Sequence, residues 1–187
     1  MRVILASKSP RRKELLAKLF SDFEIIVSDA DESIPCGHTP AECAEIIATR
    51  KGEVVAKNEV DALVISSDTM VEEDGVILGK PGSAEEAHRM LEMLSGRWHN
   101  VHTGVAVLYK GRIFSGVDTT RVEFRELSDA EIDEYIATGE PMDKAGAYGI
   151  QGLGGKFVTR YDGGFDTVVG LSLTLTERLV KEALESD

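Results

Sequence analysis

The sequence predicts an α/β protein whose sheet is mixed and flanked by helices. Short apolar runs typical of buried strands alternate with segments that have helical periodicity and capped starts. Two tight-turn signals, Asp74-Gly75 and Lys110-Gly111, join neighbouring strands into hairpins, so antiparallel pairs accompany the parallel ones. A chain of 187 residues can bury its own core, and we interpret residues 1–187 as one domain with two lobes around a central cleft.

The first part of the chain alternates strands with capped helices. Val3 to Ala6 is a short apolar strand, and Ser9 followed by proline predicts a helix start. A second strand is expected near Phe23 to Val27. Thr39, with proline next and Glu42 at the third helical position, predicts a capping box.

The second part of the chain contains the hairpins and three further helices. Ser83 and Ser128 each precede a glutamate by three residues, which predicts capping boxes and helix starts. Paired strands are expected between residues 101 and 124. The remaining expected elements are strands at 62–65, near 157–158 and at 167–169, and a C-terminal helix over 173–184.

The charge balance disfavours polymeric anions as partners. Thirty-three acidic against 21 basic side chains give a net charge of −12. Such a surface repels nucleic-acid polymers and anionic lipid, which leaves small anionic ligands that meet locally concentrated cations.

The cysteine pattern and the N-terminus predict a cytoplasmic protein. Cys36 and Cys43 form no metal-binding or disulfide pattern, as expected in a reducing compartment. The apolar run Val3 to Ala6 is too short for a signal peptide, and no segment is long and apolar enough to span a membrane.

The turn between the first strand and the first helix is a candidate anion site. It reads Leu5-Ala-Ser-Lys-Ser-Pro-Arg-Arg12. Cations are unfavourable in the first turn of a helix, and a bound phosphate gripped by arginine would reverse that cost. The alternative is an exposed basic turn without a ligand.

Two acidic positions are candidates for catalysis or for metal binding. Asp68 ends an apolar strand, where ligands of α/β sheets collect, and suits a base or a metal ligand. Glu32, in an acidic loop, is a second candidate ligand, because Mg²⁺ is often held by one or two carboxylates plus substrate phosphates. A turn-capping Asp68 and a solvated acidic loop are the alternatives.

Two lysines are candidates for holding an anion. Lys51 lies four residues from both Ile47 and Val55, so helical spacing places it on an apolar stripe. It either meets an anion there or extends its amine to solvent. Lys80 follows the hairpin after Asp68 and is expected to return to the same cleft.

A glycine-rich segment from Glu140 to Gly155 is the other dense region. Its glycines permit close approach of the backbone, and Tyr148 and Gln151 are suited to stacking on or hydrogen bonding a base. An ordinary long loop is the alternative. Neither a hydrolase elbow nor a Walker loop occurs in the sequence.

Taken together, these segments resemble the Maf family of nucleoside triphosphate pyrophosphatases over nearly the whole chain. The shared segments are Leu5–Arg12, Ser67–Thr69, Leu78–Pro81, Val101–Val105, Glu140–Gly155 and Val168–Leu171. The resemblance implies a mixed twisted sheet similar to that of inosine triphosphate pyrophosphatases, with a cleft between two lobes. Homodimers are common in such families.

The resemblance also implies roles for individual residues. Asp68 matches the proton acceptor of the family, and Arg12, Thr69 and Gln151 match the specificity positions of the branch that acts on dTTP and UTP. Further polar positions of the family site correspond to Ser7, Arg11, Glu32, Lys51 and Lys80. Ser172 and Asp166 depart from the family pattern, which usually has proline and asparagine there.

These observations predict a pyrophosphatase that converts a nucleoside triphosphate to monophosphate and pyrophosphate. Glu32 and Asp68 would hold Mg²⁺ or Mn²⁺, while Arg11, Arg12, Lys51 and Lys80 would neutralise the triphosphate. Normal or modified pyrimidine nucleotides are the expected substrates, with a role in house-cleaning or in arrest of cell division. The alternative is a non-catalytic nucleotide sensor that regulates cell division.

Overall fold

The computed structural model describes residues 1–186 as seven strands, six α-helices and three short 3₁₀ turns. The strands are β1 (Val3–Leu5), β2 (Glu24–Ile25), β3 (Leu63–Glu73), β4 (Val76–Leu78), β5 (Trp98–Tyr109), β6 (Arg112–Phe124) and β7 (Val158–Asp162). The helices are α1 (Pro10–Leu16), α2 (Pro40–Ala56), α3 (Ala84–Leu94), α4 (Asp129–Ala137), α5 (Phe165–Val169) and α6 (Leu173–Glu185). The 3₁₀ turns cover Glu140–Asp143, Ala145–Ala147 and Leu153–Phe157.

The strands form one mixed sheet, which confirms the predicted fold class. Its order is β2-β1-β3-β5-β6-β7, and β4 pairs with β3 off this path. β1 is parallel to both β2 and β3, with Leu5 opposite Ile65, whereas the β3–β4 and β6–β7 pairs are antiparallel. The parallel register brings the segment after β1 next to residues Ser66 to Thr69 of β3.

The chain divides into two compact units, in agreement with the two expected lobes. The first unit comprises Met1–Thr69, Thr103–Asp118 and the chain from Gly170 onward. The second comprises Met70–His102 and Thr119–Val169. The interpretation of residues 1–187 as a single domain, and the cleft, stay predictions. Within residues 1–186, none of the helices has the length and apolar character needed to cross a membrane.

The predicted helix starts are confirmed. Ser9, Thr39, Ser83 and Ser128 each accept a hydrogen bond from the third helical amide. The box before α3 is incomplete, because Glu86 accepts from Gly82 at 2.7 Å instead of from Ser83. At the C-terminal end, the departure at Ser172 has a structural role, since its hydroxyl caps α6 and donates to Asp118.

The strand expected at Thr167–Val169 is wrong, because these residues belong to helix α5. A short apolar run does not by itself distinguish a strand from a helical turn. Glycines flank this run on both sides. Gly163 and Gly170 have φ of 129° and 128°, and such positive values favour glycine. Between them one helical turn packs Val168 against the core of the second unit.

Aromatic rings form the centre of the second unit. The ring of Phe124 lies edge-on to Tyr148 and His99, with centroid distances of 4.7 and 5.0 Å. Tyr135 meets Phe157 in the same manner at 5.0 Å. His99 is 2% exposed, and its Nε2 lies 2.7 Å from the Tyr148 hydroxyl, while its buried Nδ1 has no hydrogen-bond partner.

The burial of His99 predicts a pH-dependent stability. Burial lowers its pKa to about 4 from the usual 6.5, so the unfolded chain binds a proton in this range that the folded protein does not. The contribution is complete above pH 6.5 and is lost as the pH falls towards 4. We expect the free energy of unfolding, measured by urea denaturation, to fall by about 2 kcal/mol from pH 7.5 to 5 on this account.

A His99→Gln variant should show a shallower dependence on pH, and His102, whose pKa burial also lowers, contributes to the slope that remains. His88→Gln is the control, because His88 pairs with surface carboxylates and lies outside the aromatic cluster. Equal slopes for wild type and His99→Gln would contradict this assignment.

Candidate active site

Helix α2 is fastened to strand β3 by a buried serine. The Ser66 hydroxyl is inaccessible to solvent and donates to the Ala48 carbonyl at 2.7 Å. Lys51 lies one helical turn beyond Ala48, and Asp68 lies two residues beyond Ser66, on the same face of the strand. The Ser66–Ala48 hydrogen bond therefore places Lys51 next to Asp68.

Two glycines permit this close approach of helix and sheet. A Cβ at Gly52 of α2 would lie 2.2 Å from the side chain of Leu108 on β5. A Cβ at Gly104 of β5 would lie 2.3 Å from the carbonyl oxygen of Ala44 on α2. Any larger residue at these positions would push the helix away from the strands that carry the polar site.

Lys51 lies between two carboxylates. Its Nζ is 2.6 Å from Asp68 Oδ1 and 3.0 Å from Glu32 Oε2. The side chains of Lys51 and Asp68 are 11% and 14% exposed, whereas that of Glu32 is 57% exposed. The predicted position of Lys51 on the buried stripe is thus confirmed, and its amine meets a carboxylate rather than solvent alone.

Arg12 folds back over the turn that follows β1. Its Nε donates to the Gly170 carbonyl at 2.8 Å, and its Nη2 and Nη1 reach the hydroxyls of Thr69 and Ser7 at 3.3 and 3.5 Å. Burial lowers the pKa of this guanidinium, and the negative charge of Asp68 acts in the opposite direction. The alternative of an exposed basic turn therefore does not hold for Arg12.

The remaining residues of the turn complete this side of the site. The Ser7 hydroxyl is buried and accepts a hydrogen bond from the Ser9 amide at 3.2 Å. Arg11 is half-buried, and its charge contributes to the lowered pKa of Arg12. Ser7, Arg11, Arg12, Glu32, Lys51, Asp68 and Thr69 all belong to the first unit.

Sequence reasoning missed a threonine that supports this group. Thr103 on β5 is fully buried, and its hydroxyl lies 2.9 Å from that of Thr69. The available signal was a threonine directly before a glycine, at the start of the apolar second half of β5. The Ser67 hydroxyl donates to the Gly170 carbonyl at 2.8 Å. The same carbonyl accepts the hydrogen bond from Arg12.

Lys80 and Gln151 lie in the second unit, and both are exposed. Their segments are connected there, because the Gly146 amide donates to the Gly79 carbonyl at 3.1 Å. The predicted convergence of Lys80 with Asp68 stays a prediction. The expected contact of Tyr148 with a base is wrong, since this ring is 5% exposed and its hydroxyl is bonded to His99 in the core.

The donor chemistry of Glu32 and Asp68 suits a hard divalent cation. Oxygens of both carboxylates lie within 3.0 Å of one point, which the Lys51 amine occupies. Within residues 1–186, no group of three or more His, Cys, Asp or Glu side chains is arranged to hold a metal. Two carboxylates are nevertheless sufficient for Mg²⁺ when substrate phosphates provide further oxygens, so the residues fit.

The expectation that Asp68 ends its strand is wrong: β3 continues past Asp68 to Glu73, because its last residues pair with β4. Fold and site together define an α/β protein with a polar site beside the end of the parallel strand β1, a position where small ligands of such sheets bind. Paired cations and carboxylates in that position suit a phosphorylated ligand. The chain belongs to the Maf family: the family profile, described as Maf-like protein, matches residues 2–183.

Similar proteins include two named dTTP/UTP pyrophosphatase. The one from Bacillus cereus (strain B4264) is 45% identical over 186 residues, which cover 100% of this chain and 96% of the relative. The one from Thermococcus onnurineus (strain NA1) is 51% identical over 178 residues and 95% of each chain. Among solved structures, the Staphylococcus aureus Ham1 protein is 19% identical, covers 100% of this chain and 97% of its own, and has a TM-score of 0.48.

The Lys51–Asp68 pair predicts a loss of stability when the cation is removed. In Lys51→Met, the Asp68 carboxylate remains mostly buried without its 2.6 Å partner. Breaking such a pair from one side costs about 3 kcal/mol, which urea denaturation at pH 7 will measure.

Lys181→Met is the matched control, because Lys181 is 74% exposed and lies 3.7 Å from Glu185. This change should alter the unfolding free energy by less than about 0.5 kcal/mol. If the two variants were equally stable, the Lys51–Asp68 contact would not be a folded-state ion pair of the kind described.

Proposed function

We propose that the protein hydrolyses a nucleoside triphosphate, with dTTP or UTP as substrate, to the monophosphate and pyrophosphate. One observation carries the proposal: the Lys51 amine lies between Asp68 and Glu32, and the charges of these two carboxylates also act on the guanidinium of Arg12. A site of this composition offers cations to a phosphate chain and a carboxylate to a water molecule.

The ion pair suggests how substrate binding prepares the carboxylate. A triphosphate carries several negative charges, and its oxygens compete with Asp68 and Glu32 for the Lys51 ammonium. Transfer of Lys51 to the substrate releases the Asp68 oxygen that it covers in the free protein. Arg11 and Arg12 add positive charge on the side of the turn after β1.

The released carboxylate then acts as the proton acceptor in the reaction. A water molecule donates a proton to Asp68 while its oxygen forms a bond to the α-phosphorus. The bond from the α-phosphorus to the bridging oxygen breaks, and pyrophosphate leaves with that oxygen. Lys51 and Arg12 neutralise the charge that develops on the leaving group, and Lys80 is the further cation that the family resemblance assigns to this role.

Mg²⁺ or Mn²⁺ is the proposed cofactor, held by Glu32 and Asp68 together with phosphate oxygens. When bound, such an ion supplies Lewis acidity and lowers the pKa of coordinated water. The metal would use the carboxylate oxygens that the Lys51 ammonium contacts in the free protein. Metal binding is compatible with the transfer of Lys51 to the substrate, because that transfer frees these oxygens.

Base selectivity is assigned to Arg12, Thr69 and Gln151. The pyrimidine preference rests on the family resemblance at these positions and on relatives named dTTP/UTP pyrophosphatase. The Nη2 of Arg12 donates to the Thr69 hydroxyl at 3.3 Å, and the Thr103 hydroxyl lies 2.9 Å from the same oxygen. Modified pyrimidine nucleotides are included in the proposed range, consistent with a house-cleaning role.

We place this activity in the cytoplasm and propose a homodimer as the assembly.

The non-catalytic regulator that the sequence left open is not favoured, because the relatives at 45% and 51% identity carry the names of enzymes. A buried lysine paired with a carboxylate also suits turnover, in which charges are exchanged, better than permanent storage of a ligand.

The decisive assay presents the purified protein with each nucleoside triphosphate and quantifies monophosphate and pyrophosphate. We expect release of pyrophosphate from dTTP and UTP, and its loss after treatment with a chelator. Asp68→Asn should lower kcat by about 10² or more, the usual scale for general-base catalysis.

Asp61→Asn is the control for this substitution, since Asp61 is an exposed aspartate before β3 and outside the site. It should retain the wild-type rate. Full turnover by Asp68→Asn, or release of orthophosphate in place of pyrophosphate, would refute the proposed reaction.

A further inference from the structure

One carboxylate binds the end of the loop that carries Gln151. We define the Gln151 loop as residues 149–154. Glu140 Oε2 accepts a hydrogen bond from the Leu153 amide at 3.0 Å, and its Oε1 accepts from the Gly154 amide at 3.1 Å. The two oxygens of one side chain thus bind the end of the loop that follows Gln151.

A tyrosine connects this carboxylate to the start of the loop. The Tyr135 hydroxyl donates to Glu140 Oε1 at 2.8 Å and accepts a hydrogen bond from the Gly149 amide at 3.3 Å. Tyr135 comes from α4, is 1% exposed and packs edge-on against Phe157. We call Glu140 and Tyr135 together the anchor, and Tyr135 fixes it in the core of the second unit.

Two glycines of the loop are required by the close approach of this anchor. A Cβ at Gly152 would lie 2.4 Å from Glu140 Oε1, and one at Gly154 would lie 2.6 Å from the Tyr135 hydroxyl. A loop with this many glycines loses much conformational freedom when it is fixed in place. Its conformation consequently depends on the hydrogen bonds that Glu140 and Tyr135 provide.

The position of Gln151 within the loop gives this anchor a functional consequence. Gln151 is exposed, between a start bound to Tyr135 and an end bound to Glu140. The anchor orders the backbone on both sides and leaves the Gln151 amide available to a ligand. A recognition side chain on an ordered loop binds with a smaller entropic cost than one on a mobile loop.

We infer that Glu140 and Tyr135 are positioning residues for base recognition, acting through the Gln151 loop. The inference rests on the proposed function, because it requires Gln151 to contact the pyrimidine of the substrate. Neither side chain needs to touch the nucleotide. The loss of either one should weaken recognition of the base and leave the handling of the phosphate chain unchanged.

The test compares Glu140→Gln and Tyr135→Phe with the wild type in two measurements. Amide hydrogen exchange of residues 149–154 should become faster in both variants. In kinetics with UTP, KM should rise about tenfold through the lost hydrogen bonds, while kcat stays within about twofold. The inhibition constant of inorganic tripolyphosphate, which has no base, should not change.

Glu134→Gln is the matched control, because Glu134 is an exposed glutamate of α4 next to Tyr135 in sequence and outside the anchor. It should leave exchange and KM at wild-type values. A variant with faster exchange but unchanged KM would overturn the inference and leave the proposed function standing. Equal weakening of UTP and tripolyphosphate would overturn it as well, since it indicates general damage to the site.

Failure of the proposed function is recognised separately. A wild-type protein that hydrolyses no nucleoside triphosphate removes both the proposed function and the inference. The exchange measurement then still reports whether Glu140 orders the loop.

Discussion

The ion pair between Lys51 and Asp68 is the interaction on which the rest of the site depends. A lysine and an aspartate that are 11% and 14% exposed need each other in the free protein, because an unpaired charge there is costly. The pair keeps both groups in place until a stronger anion arrives. The same contact therefore serves stability in the free protein and, in our proposal, becomes the first contact exchanged in the reaction.

The fold of the first unit is arranged to produce this contact. Ser66 fastens α2 to β3, and Gly52 and Gly104 allow the helix to approach the strands closely. The carbonyl of Gly170 accepts hydrogen bonds from Arg12 and from Ser67, the residue before Asp68. The site consequently combines short polar contacts with little free space for larger side chains.

Sequence alone predicted the features that depend on local pattern and missed those that depend on tertiary contacts. The cap at Ser9 and the inward direction of Lys51 follow from spacing and chain direction. The start of the strand before Asp68 is also predicted, but not its continuation through Asp68 to Glu73, which depends on pairing with β4. The burial of Tyr148 and the role of Thr103 could not be predicted, because each depends on a partner far away in sequence, His99 and Thr69. The run Thr167–Val169 was assigned to a strand because its length and composition fit either structure.

The most direct measurement is a structure of the protein with a non-hydrolysable α,β-methylene analogue of UTP. We predict that the Lys51 amine leaves Asp68 and contacts a phosphate oxygen, and that Arg12 lies within hydrogen-bonding distance, about 3 Å, of the nucleotide. The Asp68 carboxylate should then face the α-phosphorus. A nucleotide bound elsewhere, with the Lys51–Asp68 contact intact, would contradict the account.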